Sequence, residues 1–232
     1  MLHRLLSLFS LADWFALALF LLGWIGYGYF ADHAPRSISG LRGVTHRHRG
    51  AWGREMAYRE NRIVDASLIG NLMNSVSFYA STTIYIIAGL MAIAGTLDRL
   101  VTFTEDLPFA RETTREILEA KLFLLIGIFV FAYFKFTWSL RQFNFLSILI
   151  GSTPAPDHPK AVLEAHTERF AVINTLAGDE FNRGIRAYYF GFAALAWFAH
   201  PWLFTVMTVA ILLVLYRRDF RSKTRRALDM SG

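Results

Sequence analysis

From Ser67 to Leu97 the chain reads SLIGNLMNSVSFYASTTIYIIAGLMAIAGTL. About 20 predominantly apolar residues in a helix suffice to cross the ~30 Å hydrocarbon core of a bilayer, and this run is longer than that. Within it Ser67, Asn71, Asn74, Ser75, Ser81, Thr82 and Tyr85 recur at helical spacing, with Phe78 interrupting. They form a polar stripe down one face of a helix that should otherwise be apolar, a face that does not belong against lipid. The plainer reading of the stripe is helix packing through small residues and hydrogen bonds. The sharper one is a solute path.

Working outward, three more apolar blocks follow the same logic, at about 13–31, 121–142 and 186–216. The first opens at Asp13, an expected N-cap, and ends in Trp24, Tyr27, Tyr29 and Phe30, the aromatic belt of a membrane interface. Its length and its lack of a small-residue cleavage site predict a retained helix rather than a signal peptide. Arg217 and Arg218 stop the last block. The expected fold is therefore all-α, an integral membrane bundle of about four transmembrane helices in a single domain. Composition agrees: 54% of the 232 residues are hydrophobic and the mean hydropathy is +0.35.

Two amphipathic surface helices are expected between the spans. One covers about 51–66, where Trp52, Met56 and Ile63 share a face and Glu55 and Arg59 form an i,i+4 pair, and it should run directly into the second span. The other covers about 160–183, after the breakers Pro154, Pro156 and Pro159, with Leu163, Phe170, Ile173 and Leu176 as its apolar marks. It is expected to merge with the last span near Gly184.

The net charge is +6, and its distribution carries the topology argument. Lys and Arg number one in the N-terminal tail, seven in the first loop (32–66), three in each of the next two loops and six in the tail 217–232. With four plain spans the positive-inside rule ties. The flanks of the first span favour a cytoplasmic first loop, since Arg36, Arg42, Arg47 and Arg49 outweigh Arg4. A break at His200–Pro201 would remove the tie by turning the last span back on itself. Halves of about 13 and 15 residues, roughly 20 Å each, are too short for that, so a kinked single helix is expected.

Chemistry concentrates in the third span and the first loop. Lys135, Ser139 and Gln142 share one helical face, and Lys135 either snorkels to headgroups or meets an anion or a carboxylate. A pairing carboxylate would be Asp65 or Glu60. Arg42, Arg47, Arg49 and Arg54 form a basic surface suited to anionic lipid headgroups. His46 and His48 among arginines make a poor cation site, so no metal is expected. His200 is the one histidine within a span, which argues against haem. The absence of cysteine excludes disulfides and thiolate chemistry. No phosphate loop, zinc-protease helix or nucleophile elbow occurs, so no catalytic residue and no cofactor is assigned. Neither basic segment forms a nucleic-acid reading module.

The strings Arg59-Glu-Asn-Arg-Ile-Val-Asp65 and Ser75-Val-Ser-Phe-Tyr-Ala-Ser-Thr-Thr83 resemble a bacterial membrane family labelled domain of unknown function 599. Lys135-Phe-Thr-Trp-Ser-Leu-Arg-Gln-Phe-Asn144, Phe181-Asn-Arg-Gly-Ile-Arg-Ala-Tyr-Tyr-Phe190 and His200-Pro201-Trp202 extend the resemblance over roughly 11–221. It implies a multi-pass protein of a bacterial inner membrane and supplies no activity, substrate or catalytic residue.

The expected function is a small-solute or anion transporter or channel, with Asn71, Asn74, Ser81, Thr82, Lys135 and Gln142 as the candidate path and a homo-oligomer completing its wall. The alternative is a non-catalytic scaffold that binds anionic lipid or a protein partner.

Overall fold

The computed structural model describes residues 9–33, 40–97 and 114–229, and these form seven helices with no strand among them. In chain order they are α1 (Leu11–His33), α2 (Leu41–Ala57), α3 (Ile63–Ala94), α4 (Arg115–Gly151), α5 (Lys160–Ala199), α6 (Pro201–Arg221) and α7 (Lys223–Asp229). Among the described residues α1, α3 and α4 are long and apolar enough to cross a membrane. Arg4 and Arg36, used in the charge argument, lie outside the described residues.

Local chemistry sets the helix ends. Ser10, not Asp13, caps α1: the Ser10 hydroxyl oxygen accepts from Asp13 N–H at 3.3 Å, and Asp13 Oδ2 accepts from Ser10 N–H at 3.1 Å. This is a capping box with Asp13 in the third position. The helix expected over 51–66 instead ends at Ala57 and does not run into the next one. Arg62 explains the break, because its guanidinium donates to the Met56 and Ala57 carbonyls at 3.3 and 3.2 Å, groups a continuing helix would have used. Asn61 Oδ1 then accepts from Ile63 N–H at 2.9 Å and starts α3.

The chain divides into two compact units, and α3, α4, α5 and α6 each contribute a part to both. Unit 1 takes residues 1–33, 82–132 and 185–216. Its core is aromatic. Phe20 is fully buried, with ring centroids of Phe204 and Phe190 at 5.0 and 5.5 Å, and Trp197 stacks on Phe204 at 5.1 Å. Polar groups inside this unit are tied off: Trp197 Nε1 donates to Asp13 at 2.9 Å, Lys121 donates to the Trp197 carbonyl at 2.8 Å, and Arg186 pairs with Asp32 at 2.8 Å.

The contacts along α1 give the direction of its neighbours. On α5, Trp197 meets Asp13, Phe190 meets Phe20 and Arg186 meets Asp32, so α5 runs antiparallel to α1. On α6, Trp202 faces Phe15, Phe204 faces Phe20 and Leu212 packs on Gly23, so α6 runs parallel to it. The expected kinked helix over 186–216 is therefore two helices that reverse at His200. Pro201 opens α6 at a position where no N–H is needed, and His200 Nδ1 accepts from Trp202 N–H at 3.2 Å. The length objection fails because α5 does not begin near 186. It has 40 residues, about 60 Å, and α6 has 21, about 32 Å.

Unit 2 takes residues 34–81, 133–184 and 217–232. Here α2 lies antiparallel along α5, with Arg42 on Asp179, His46 on Thr175 and Gly53 against Phe170 and Thr167. A side chain at Gly53 would come 2.9 Å from the Phe170 ring, so glycine is what lets the two helices close. The short α7 docks on α2 through the ion pair Arg47–Asp229 and a His48 Nε2 bond to the Leu228 carbonyl at 2.9 Å.

Candidate functional site

The interior of unit 2 is charged where that of unit 1 is aromatic. On α5, Asp179 and Glu180 are consecutive, and both are buried. Arg42 reaches Asp179 at 2.6 Å, and Arg49 also feels its charge. Lys135 reaches Glu180 at 2.9 Å, and Arg183 pairs with the same carboxylate. Each buried carboxylate thus faces two cations, Asp179 between α2 and α5 and Glu180 between α4 and α5.

Arg49 is the cation without an ion pair of its own among the described residues. Burial pulls its guanidinium below the ordinary arginine pKa and the neighbouring Arg42 adds to this, while Asp179 opposes both. An arginine stays protonated regardless, so the cost appears as an undercompensated charge rather than a lost proton. Its position depends on Gly178. A Cβ at that residue would strike Nη2 and come 2.8 Å from Arg49 Cζ, so the guanidinium lies directly on the α5 backbone.

Beside Arg49 is a cavity of about 350 Å³. Its polar wall includes His48, Arg49, Asn174 and Asn182, and its apolar wall includes Val76 and Phe143. Asn174 is 2% exposed and its Nδ2 has no hydrogen-bond partner among the described residues. Buried amide donors rarely go unpaired, and each costs about 1–3 kcal/mol when they do. Nearby, Asp65 is fully buried and accepts from Trp52 Nε1 and Arg59, both at 2.7 Å, while its second oxygen has no hydrogen-bond partner among the described residues.

The far end of α4 is closed by two further groups. Arg62 donates to the Thr153 and Pro154 carbonyls at 3.3 and 2.9 Å. His166 Nε2 lies 3.0 Å from the Leu149 carbonyl and 3.1 Å from Thr153 Oγ1. Burial holds the His166 ring below its ordinary pKa, the Leu149 bond partly offsets this, and Arg169 and Arg62 add to the lowering.

Of the residues singled out in the sequence, Lys135 and the buried Gln142 both fall in the interior of unit 2. Asn71, Asn74 and Ser81 are exposed on α3, and the half-buried Thr82 belongs to unit 1, so the candidate path is not brought together. Lys135 meets Glu180 rather than Asp65 or Glu60. Of the four headgroup arginines, Arg42 and Arg47 are in ion pairs, Arg49 sits on Gly178 and Arg54 is exposed. His200 and Pro201 form the α5–α6 reversal. Among the described residues no group of three His, Cys, Asp or Glu could hold a metal ion.

Sequence reasoning missed Asn174, Gly178, Asp179 and Glu180. A signal was present: Asn174, Gly178 and Asn182 recur at steps of four, the same kind of stripe that drew attention on α3.

Comparison with curated proteins and with solved structures finds no match. A family model described as "Protein of unknown function, DUF599" matches residues 15–224, and the chain therefore belongs to that family.

Proposed function

We propose that this is a multi-pass protein of the cell membrane that binds a small anion in unit 2 and carries it across the bilayer. One observation carries the reading: Arg49, half-buried beside Gly178 and at a cavity, has no ion pair of its own among the described residues, while the buried carboxylates next to it are already paired with other cations. Charges taken out of water need compensation, and a half-buried cation without an ion pair suits an anion. The basic residues of the first loop, the third loop and the tail all fall in unit 2, which is what the positive-inside rule assigns to the cytoplasmic face. Single cysteines replacing Arg54, Asp157 and Lys223 in this cysteine-free chain should therefore all label from the cytoplasmic side; labelling of any one from outside contradicts this orientation.

Transport is tested in proteoliposomes loaded with the purified protein. Radiolabelled small organic anions should be taken up by the native chain and not by Arg49→Gln, with both proteins showing the same melting behaviour. Equal uptake by the two proteins removes Arg49 from the account.

A second reading, a scaffold between copies of the chain, is favoured by the exposed Asn71, Asn74 and Ser81 on a helix apolar enough to span. Interhelical amide hydrogen bonds would cover them in a homo-oligomer. A monomer in lipid nanodiscs, together with flux, would set this reading aside.

A further inference from the structure

We infer that the cavity beside Arg49 takes an amphiphilic anion, with a carboxylate or phosphate head on Arg49 and Asn174 and an apolar body against Leu72, Val76, Phe143 and Phe181. This rests on the reading that unit 2 binds an anion and names the class. The head position follows from two independent features. Arg49 offers the planar guanidinium fork that suits carboxylate and phosphate oxygens. Asn174 lines the same cavity, and its buried Nδ2 has no hydrogen-bond partner among the described residues. An oxyanion placed between them satisfies both, and the charge of Arg49 is offset by the same act.

The body position follows from the rest of the wall. The wall combines Val76 and Phe143, each 3% exposed, with the exposed Leu72, so the cavity is an open cleft with buried apolar residues in its wall. Its volume of about 350 Å³ is at the small end for organic-ligand pockets, which suits a short chain and exceeds the need of a bare inorganic ion. A small hydrophilic anion would leave that apolar wall wet.

Gly178 is the specificity device. It has no side chain to collide with Arg49, so the guanidinium can lie on the α5 backbone and present its edge to the cavity. Ala at this position meets only the far end of a flexible side chain. The fold should therefore tolerate Gly178→Ala, while the head-binding fork is displaced.

The test measures binding of radiolabelled octanoate to the full chain in nanodiscs of zwitterionic lipid, with acetate, inorganic phosphate and octyl phosphate as competitors. Octanoate and octyl phosphate should bind saturably and at least tenfold more tightly than acetate or inorganic phosphate. Arg49→Gln and Gly178→Ala should each weaken octanoate at least tenfold. In the Arg49→Gln background, Gly178→Ala should add little, because the two changes remove one interaction. Equal affinity for acetate and octanoate overturns the amphiphile class and leaves anion binding standing. Absence of saturable binding by any of the four overturns both. Full independent losses in the double variant overturn the Gly178 cradle. Repeating the titration in nanodiscs of anionic phospholipid separates the two sources of such a ligand. Competitive loss of octanoate binding identifies a lipid headgroup as the occupant, and an unchanged affinity identifies a free amphiphile.

Discussion

Units 1 and 2 solve the same problem, burying polar groups among apolar ones, in opposite ways. In unit 1 Asp13, Lys121, Arg186 and Asp32 each meet a partner, and Thr83 Oγ1 lies 2.8 Å from the Tyr188 hydroxyl. In unit 2 the buried atoms of Asp65, Gln142 and Asn174 without hydrogen-bond partners accumulate beside cations that outnumber their carboxylates. Fully satisfied polar groups specify and rigidify a core, whereas unsatisfied ones cost stability and persist where function uses them. The contrast separates a unit whose polar groups are paired from one with unpaired buried groups, which is where the proposed anion would bind.

The comparison breaks most visibly at Phe20, whose side chain is fully buried among Trp24, Phe190 and Phe204. Phe20→Ala should cost about 3–5 kcal/mol, seen as a large drop in melting temperature in detergent. A small drop would mean that the aromatic cluster is loosely packed. Gly184→Ala should cost about 1–3 kcal/mol, because its Cβ would sit 2.5 Å from the buried Phe136 ring, which cannot swing away. Asp65→Ala should cost a similar amount, about 1–3 kcal/mol, by stranding the Trp52 indole N–H. Either variant melting like the native chain contradicts the packing described for unit 2.

The smaller effects sharpen the contrast. His166 titrates below its ordinary value of 6.5 in the folded state, so the stability its neutral ring contributes is complete above pH 6.5. That contribution is lost as pH falls from 6.5 toward the depressed folded value, since the unfolded chain then binds the proton more readily. A melting-temperature profile across pH 5–8 should slope downward on the acid side, and His166→Gln should flatten it. A profile that His166→Gln leaves unaltered would separate His166 from the effect. Smallest of all, Arg54→Gln changes an exposed residue and should alter stability by no more than about 0.5 kcal/mol. A larger loss would mean that Arg54 has a structural partner.

The all-helical fold and the long apolar helices were legible because period and length carry them directly. The His200–Pro201 reversal is visible in the sequence as an option, but a last helix that starts near 186 has halves too short for it. The merger of the 160–183 helix with the last apolar block near Gly184 is legible, and α5 runs unbroken through it, but a length counted only from the apolar residues after 186 omits the charged half of that helix. Lys135 and Gln142 were legible because a charge and an amide stand out in an apolar run. Asp179, Glu180 and Gly178 were not, because in an amphipathic helix acidic and small residues read as the solvated face. Only the docking of α2, through Arg42 and Gly53, turns that face inward. The stripe on α3 misled for the complementary reason: spacing fixes which residues share a face but not what the face meets.

The anion site proposed for unit 2, at Arg49 and Asn174, would change local backbone protection on binding. Hydrogen–deuterium exchange of the protein in nanodiscs, with and without octanoate, tests it most directly. The account predicts slower exchange in α2 and in the 170–184 stretch of α5, abolished in Arg49→Gln, with no change across 11–33 and 201–216. Protection confined to those two unit 1 segments, or none anywhere at saturating octanoate, would contradict it.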